Sequence, residues 1–142
     1  MKSFHVSVVF SFRNEAGNLP ELVKRVSEAF SKSEASYSLT YELIFVNDNS
    51  DDESEQILLS LQEDNPIIVI NMSRRFGVQP CVIAGLEHSS GDAVIYMDSD
   101  LQDPPELIPE LISCFVNGHD VVHTKRTLRH GEGRFRMFVT KI

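Results

Sequence analysis

The sequence predicts an α/β protein built on a mostly parallel sheet with helices on both faces. Two observations predict it. Short apolar runs alternate with segments of helical period along the chain. Several of those runs are apolar at consecutive positions, the pattern of strands covered on both faces. In such sheets ligands bind outside the carboxyl ends of the strands, so the polar cluster that follows each run carries the functional information.

The elements follow in order. Residues 6–12 form the first buried strand, and Leu19, Leu22, Val23, Val26 and Phe30 recur at helical spacing behind it. Residues 39–46 form the second strand. Ser50 with Glu53 three positions on reads as a capping box for a helix whose apolar face is Ile57, Leu58 and Leu61. Pro66 introduces a third strand at 67–72, and residues 76–88 form a helix carrying Val82, Ile83 and Leu86. Ser90-Gly91-Asp92 turns into a fourth strand at 93–97. Asp103 is expected to cap the next helix, with Pro104 at its first position and Glu106 at the third. Leu107, Ile108, Leu111, Ile112 and Phe115 supply that helix's apolar face. Asn117-Gly118-His119 ends it, and 120–124 is a fifth short strand.

The 142 residues include 13 Lys+Arg and 21 Asp+Glu, a formal net charge of −8, and the pI is near 5.0. That balance argues against a nucleic-acid partner. The charge is uneven, because Lys125, Arg126, Arg129, Arg134, Arg136 and Lys141 face a single acid, Glu132, in the last stretch. We therefore divide the chain into an α/β domain at 1–124 and a basic segment at 125–142, the latter suited to a phosphate or anionic surface. Arg134-Phe135-Arg136-Met137-Phe138 reads as the start of an interfacial helix. Cys81 and Cys114 lie far apart, outside any disulfide framework or zinc spacing, and read as reduced thiols in apolar patterns. The five histidines show no ligand spacing and read as structural or surface residues. No apolar run approaches membrane-spanning length, so the expected setting is cytoplasmic.

The strand-tip clusters are Ser11-Phe12-Arg13-Asn14-Glu15, Asn47-Asp48-Asn49-Ser50, Ser73-Arg74-Arg75-Phe76-Gly77, Asp98-Ser99-Asp100 and Lys125-Arg126. Asp98 and Asp100 are the most informative. Two carboxylates one residue apart at the end of an apolar strand are costly to leave unpaired. As hard oxygen donors they suit Mg²⁺ or Mn²⁺, and Mg²⁺ typically takes one or two protein carboxylates together with substrate phosphates. The expectation is a metal–nucleotide site. No Gly-x-Gly-x-x-Gly follows the first strand, no P-loop string occurs, and no Gly-x-Ser-x-Gly elbow is present.

Taken together, residues 6–15, 46–51 and 97–100 resemble the inverting family-2 glycosyltransferases, whose Rossmann-like fold is called GT-A. The longer string Asp98-Ser99-Asp100-Leu101-Gln102-Asp103-Pro104-Pro105-Glu106, with Ser73-Arg74-Arg75-Phe76-Gly77 and Ala84-Gly85-Leu86, is similar to the branch that acts on dolichyl or undecaprenyl phosphate. The resemblance implies transfer, with inversion, of a sugar from a UDP- or GDP-linked donor to a polyprenyl phosphate. It implies that Ser11, Arg13 and Glu15 line the nucleotide pocket and that Asp48 orients the nucleoside. Asp98 would lie near ribose and metal, Asp100 would be the principal metal ligand, Gln102 would face the donor sugar, and Arg126 would approach a phosphate. Ser11 and Arg13 stand where the family often carries proline and tyrosine, and Asn47-Asp48 offers one carboxylate where a pair is common.

The resemblance also implies a longer parent protein, membrane-associated at the cytoplasmic face, with its acceptor-side base beyond Ile142. On that reading the 142-residue chain alone binds nucleotide weakly and turns over little. An uncovered sheet edge would allow a homodimer. Three alternatives stand beside it. A saccharide acceptor would place the enzyme in polysaccharide or lipopolysaccharide assembly. A nucleotidyltransferase would need a Gly-rich phosphate loop after strand one. A receiver-like regulatory module would need an acidic pair after strand one, where Arg13-Asn14-Glu15 stands, and a phospho-accepting aspartate after strand three, where Asn71-Met72-Ser73 stands.

Overall fold

The computed structural model describes the backbone of residues 3–127 and 134–140 and the side chains through residue 125. The chain forms two compact units, Met1–Glu106 and Leu107–Ile142.

The first unit holds four strands, β1 (Phe4–Phe12), β2 (Leu39–Asn47), β3 (Ile67–Asn71) and β4 (Ala93–Asp98). Between them run α1 (Leu19–Glu34), α2 (Ser54–Leu61) and α3 (Val78–Glu87). The strands pair in parallel in the order β3-β2-β1-β4. The register sets Phe12 beside Asn47, Asn47 beside Asn71 and Ser11 beside Asp98, so all four carboxyl tips reach one edge.

Consecutive burial explains why β1 and β2 are central. Val6 and Val8–Phe10 are fully buried, as are Leu43–Val46, which requires cover on both faces. Successive side chains of a strand point to opposite faces, and the helices divide accordingly. The Phe30 ring of α1 stacks on Tyr41 at 4.0 Å, on the face of Tyr41, Leu43 and Phe45. On the other face Val9, Ile44 and Val46 pack with Cys81 and Ala84 of α3. Gly85 brings α3 so near β1 that a Cβ there would overlap Val9 Cγ1 and lie 3.2 Å from Val46 Cγ2. Phe10 and Phe45 stack at 4.6 Å, and each buried ring of this size contributes roughly 2–3 kcal/mol.

The second unit contains α4 (Ile108–Val116), β5 (Val121–Thr127) and β6 (Arg134–Thr140). β5 and β6 pair antiparallel from Val121 opposite Thr140 to Thr127 opposite Arg134, and α4 packs on β5.

Four expectations change. The fifth strand is half of this hairpin and lies outside the four-stranded sheet. Residues 134–138 are strand rather than interfacial helix; Arg-Phe-Arg-Met-Phe alternates with period two, which suits a strand. Ser50 does not close a capping box, because its hydroxyl accepts the backbone N–H of Asn14 while Asp52 Oδ1 accepts that of Ser54 at the start of α2. Asp103 does not cap α4. Its carboxylate turns back to accept the N–H of Asp98, a short 3₁₀ turn spans Pro105–Leu107, and α4 starts only at Ile108.

Candidate functional site

The site is an open cleft of about 300 Å³ at the carboxyl edge of the sheet. It is lined from three strand tips and from the start of α3. Ser11, Phe12, Arg13 and Glu15 follow β1. Asp48 follows β2. Asp98, Ser99 and Asp100 end or follow β4. Arg75, Gly77, Val78 and Cys81 come from the β3–α3 connection and the first turn of α3.

The wall after β1 and β2 is laced together by polar bonds. Arg13 donates to the carbonyl oxygens of Asp48 (3.3 Å) and Asn49, and to Asp51 Oδ2 at 3.3 Å. Asn14 and Asp51 exchange two bonds of 2.7 and 3.0 Å. The N–H groups of Glu15 and Ala16 reach Ser54 Oγ and Asp52 Oδ2. Asn14 and Asn49 both adopt left-handed backbone (φ 53° and 56°), which asparagine tolerates better than most residues. Asn47 adds a turn bond to the N–H of Ser50 and joins the amide of Asn71 at 2.9 Å.

Asp48 is 6% exposed and ties this wall to α3. Its two oxygens accept the backbone N–H groups of Phe76 at 2.6 Å and Gly77 at 3.0 Å. Burial alone would raise its carboxyl, but those N–H donors, the Cys81 thiol and the nearby Arg75 charge hold it below the usual aspartate range. The thiol answers in kind: burial first, then the charge of Asp48 and the bond to it, push Cys81 up to about 11. Gly77 sits at φ 91°, a conformation that favours glycine, and this lets the chain turn under Asp48 before α3 begins. The expected helix from 76 accordingly starts at Val78.

The wall after β4 is different. Asp98 Oδ1 accepts the Tyr96 hydroxyl at 3.0 Å, and Asp100 Oδ1 accepts the N–H of Gln102 at 3.0 Å. Among the described residues neither carboxylate meets a cation within ion-pair distance. The loop itself is fixed by Ser99, whose hydroxyl donates to the Ser11 carbonyl, and by Asp103 on the N–H of Asp98. Leu101, at φ 65°, holds a backbone shape that costs a non-glycine residue about 1–3 kcal/mol. At the far end Glu106 forms a two-pronged bond with Arg25 of α1, 2.8 and 2.7 Å. Among the described residues no group of three potential metal ligands occurs. Two carboxylates with lone pairs to spare suit a hard divalent cation whose remaining ligands come from phosphate and water.

Six of the expected site residues converge on the cleft: Ser11, Arg13, Glu15, Asp48, Asp98 and Asp100. Gln102 is exposed and does not line it. The Arg126 side chain lies outside the described residues. Sequence reading did not assign Arg75 or Cys81 to the cleft. Arg75 stood in a strand-tip cluster and could have been found there. Cys81 carries no local signal, because only the packing of α3 sets it beside Asp48.

Comparison with known proteins agrees with this geometry. The sequence profile of glycosyl transferase family 2 matches residues 7–141. The bactoprenol glucosyl transferase of Shigella phage SfV is 41% identical over 132 residues, covering 92% of this chain and 42% of the relative. The undecaprenyl-phosphate 4-deoxy-4-formamido-L-arabinose transferase of Salmonella choleraesuis is 39% identical over 139 residues, 96% of this chain and 41% of the relative. The chain thus spans about two-fifths of the length of these relatives. Among solved structures, S. aureus TarS 1-349 in complex with UDP superposes with a TM-score of 0.66 at 20% identity, covering 91% of this chain and 37% of that one. The mannosyltransferase PcManGT of Pyrobaculum calidifontis, in complex with GDP-Man and Mn²⁺, gives 0.60 at 20% identity over 73% of this chain and 34% of that one. These structural likenesses concern the fold, which is the α/β GT-A arrangement. With all but its first six residues and its last inside the matched span, the chain belongs to glycosyl transferase family 2.

Proposed function

We propose that this chain forms the nucleotide-sugar site of an inverting glycosyltransferase that moves a sugar from a UDP- or GDP-linked donor to a polyprenyl phosphate. One observation carries the donor half: Asp98 and Asp100 meet Ser11, Arg13, Glu15 and Asp48 in one cleft at the carboxyl edge of a parallel sheet. The acceptor half is supported by relatives named for bactoprenol and undecaprenyl phosphate.

The residues divide the work. Arg13 and Asp48 shape the nucleoside end, Arg13 by holding the 48–51 backbone and Asp48 by pinning Phe76 and Gly77. Ser11 and Glu15 line the same end, and Gln102 belongs to the loop that would face the donor sugar. Arg126 is assigned to a phosphate on the strength of the family resemblance. Asp98 and Asp100 would hold Mg²⁺ or Mn²⁺, which when bound stabilises the negative charge gathering on the departing diphosphate. The acceptor phosphate oxygen forms the new bond at C1 from the face opposite the leaving nucleoside diphosphate, which departs with the bonding electrons. That oxygen is already anionic near neutral pH, so it depends less on a strong general base than a sugar hydroxyl would. We infer a setting at the cytoplasmic face of a membrane, a reading supported by a water-soluble donor and a lipid acceptor having to meet at a membrane surface. Among the described residues no helix is long and apolar enough to cross one.

Displacement of a fluorescent nucleotide tests the donor class. With Mn²⁺ present, either UDP or GDP should displace it at lower concentration than ADP and CDP. Equal displacement by all four would remove the reading. A lipid-linked rather than saccharide-linked product, when both acceptors are offered, would assign the acceptor.

A further inference from the structure

We propose that Arg75 grips the diphosphate of the nucleotide donor through its guanidinium. The inference rests on the function proposed above and adds a binding residue to it. Arg75 lines the cleft with Ser11, Asp98 and Asp100, and its charge lies near enough to Asp48 to pull that carboxyl down. Apart from Arg13, the other charged groups on the walls of the cleft are acids: Glu15, Asp48, Asp98 and Asp100. A diphosphate entering it needs cationic partners beyond a divalent ion.

Among the described residues two arginines line the cleft, and one is already committed. Arg13 is bonded to the carbonyls of Asp48 and Asn49 and to the Asp51 carboxylate. Next to Arg75 in sequence, Arg74 lies over the Phe76 ring, 4.7 Å from its centroid. Arg75 is exposed and makes no hydrogen bond or ion pair among the described residues. Its backbone is nonetheless held in place. The next two N–H groups, of Phe76 and Gly77, are fastened to Asp48. Arg75 is thus an unengaged guanidinium on an anchored loop, the arrangement that binds anions with little ordering cost. A guanidinium meets phosphate oxygens through two parallel charge-assisted N–H bonds.

Calorimetric titration of the 142-residue chain with UDP and UMP, and in parallel GDP and GMP, at fixed Mn²⁺ tests this. Arg75→Ala should lower affinity for the preferred diphosphate by about tenfold or more and shrink its advantage over the monophosphate. Arg75→Lys should recover part of the loss, because it keeps the charge and loses the fork. Lys24→Ala, which removes the same charge from α1 away from the cleft, should bind as the parent does. Circular dichroism of each variant checks the fold. Parental binding by Arg75→Ala would overturn the assignment of Arg75 and leave the proposed function standing. Equal losses for di- and monophosphate would overturn it too, by confining Arg75 to the part the two ligands share rather than to the diphosphate as a unit. A parent chain that binds neither diphosphate would overturn the function and this inference together.

Discussion

The segment after β2 and the segment after β4 border the same cleft, yet their polar groups are used differently. Between 47 and 54, side chains are consumed by the protein itself: Asp48 by the backbone of Phe76 and Gly77, Asp51 by Asn14 and Arg13, Asp52 by Ala16 and Ser54. Between 98 and 103, Ser99 and Asp103 fix the loop, and Asp98 and Asp100 each keep most of their acceptor capacity. Sequence alone shows two similar acidic strand tips. The difference teaches that one is a frame and the other keeps acceptors to spare, and with the proposed donor site it predicts that mutations on the two sides separate stability from binding.

The largest effect is expected on the framed side. Asp48→Ala removes a buried carboxylate and orphans two N–H groups, and should cost about 3 kcal/mol in urea unfolding. The same residue gives a pH signature. Its folded pKa is depressed, so its contribution is present above the ordinary aspartate value of 3.8 and is lost as pH falls through the lower folded value. Glu42, Asp52 and Glu106 are depressed as well and reinforce that acid limb. Cys81 has the opposite sign: its contribution is complete below 9.0 and disappears as pH rises through about 11. Unfolding free energy measured from pH 2 to 5 should drop less steeply in Asp48→Ala than in the parent.

On the ligand side, Asp100→Ala should leave the unfolding midpoint nearly unchanged and weaken Mn²⁺-dependent nucleotide binding roughly thirtyfold, about 2 kcal/mol. A stability loss as large as that of Asp48→Ala would erase the distinction between the two loops. Asn14→Ala sharpens it further. It breaks two bonds to Asp51 and puts alanine at φ 53°, and should cost about 1–2 kcal/mol by thermal unfolding. The smallest effect is expected at Arg25→Ala. Its pair with Glu106 is two-pronged but solvent-facing, so the loss should stay within about 1 kcal/mol and shrink with added salt.

Much of this was legible in sequence because it rests on local pattern. The consecutive apolar runs in β1 and β2 announced central parallel strands, and the Leu19–Phe30 periodicity announced α1. Asp98-Ser99-Asp100 after an apolar run announces an acidic cluster at the strand tips, and these residues do line the cleft. What was not legible depends on long-range pairing. Asp103 looked like a helix cap because its use by the Asp98 N–H is invisible in a linear string, and Ser50 looked like a cap because its partner is Asn14. The β5–β6 pairing is not legible because Arg-Phe-Arg-Met-Phe suits an interfacial helix by composition and a strand by its alternation, and only the partner strand decides. Arg75 stands in the strand-tip cluster after β3, but the bonds of Asp48 to Phe76 and Gly77 that hold the backbone beside it are long-range and invisible in the string.

The most direct test of the central claim is a calorimetric titration of UDP and GDP into the chain and into Asp100→Ala, each with and without Mn²⁺. The account predicts that one nucleotide binds the parent only with metal and that the variant loses this binding while staying folded. Binding that ignores both the metal and Asp100 would contradict it.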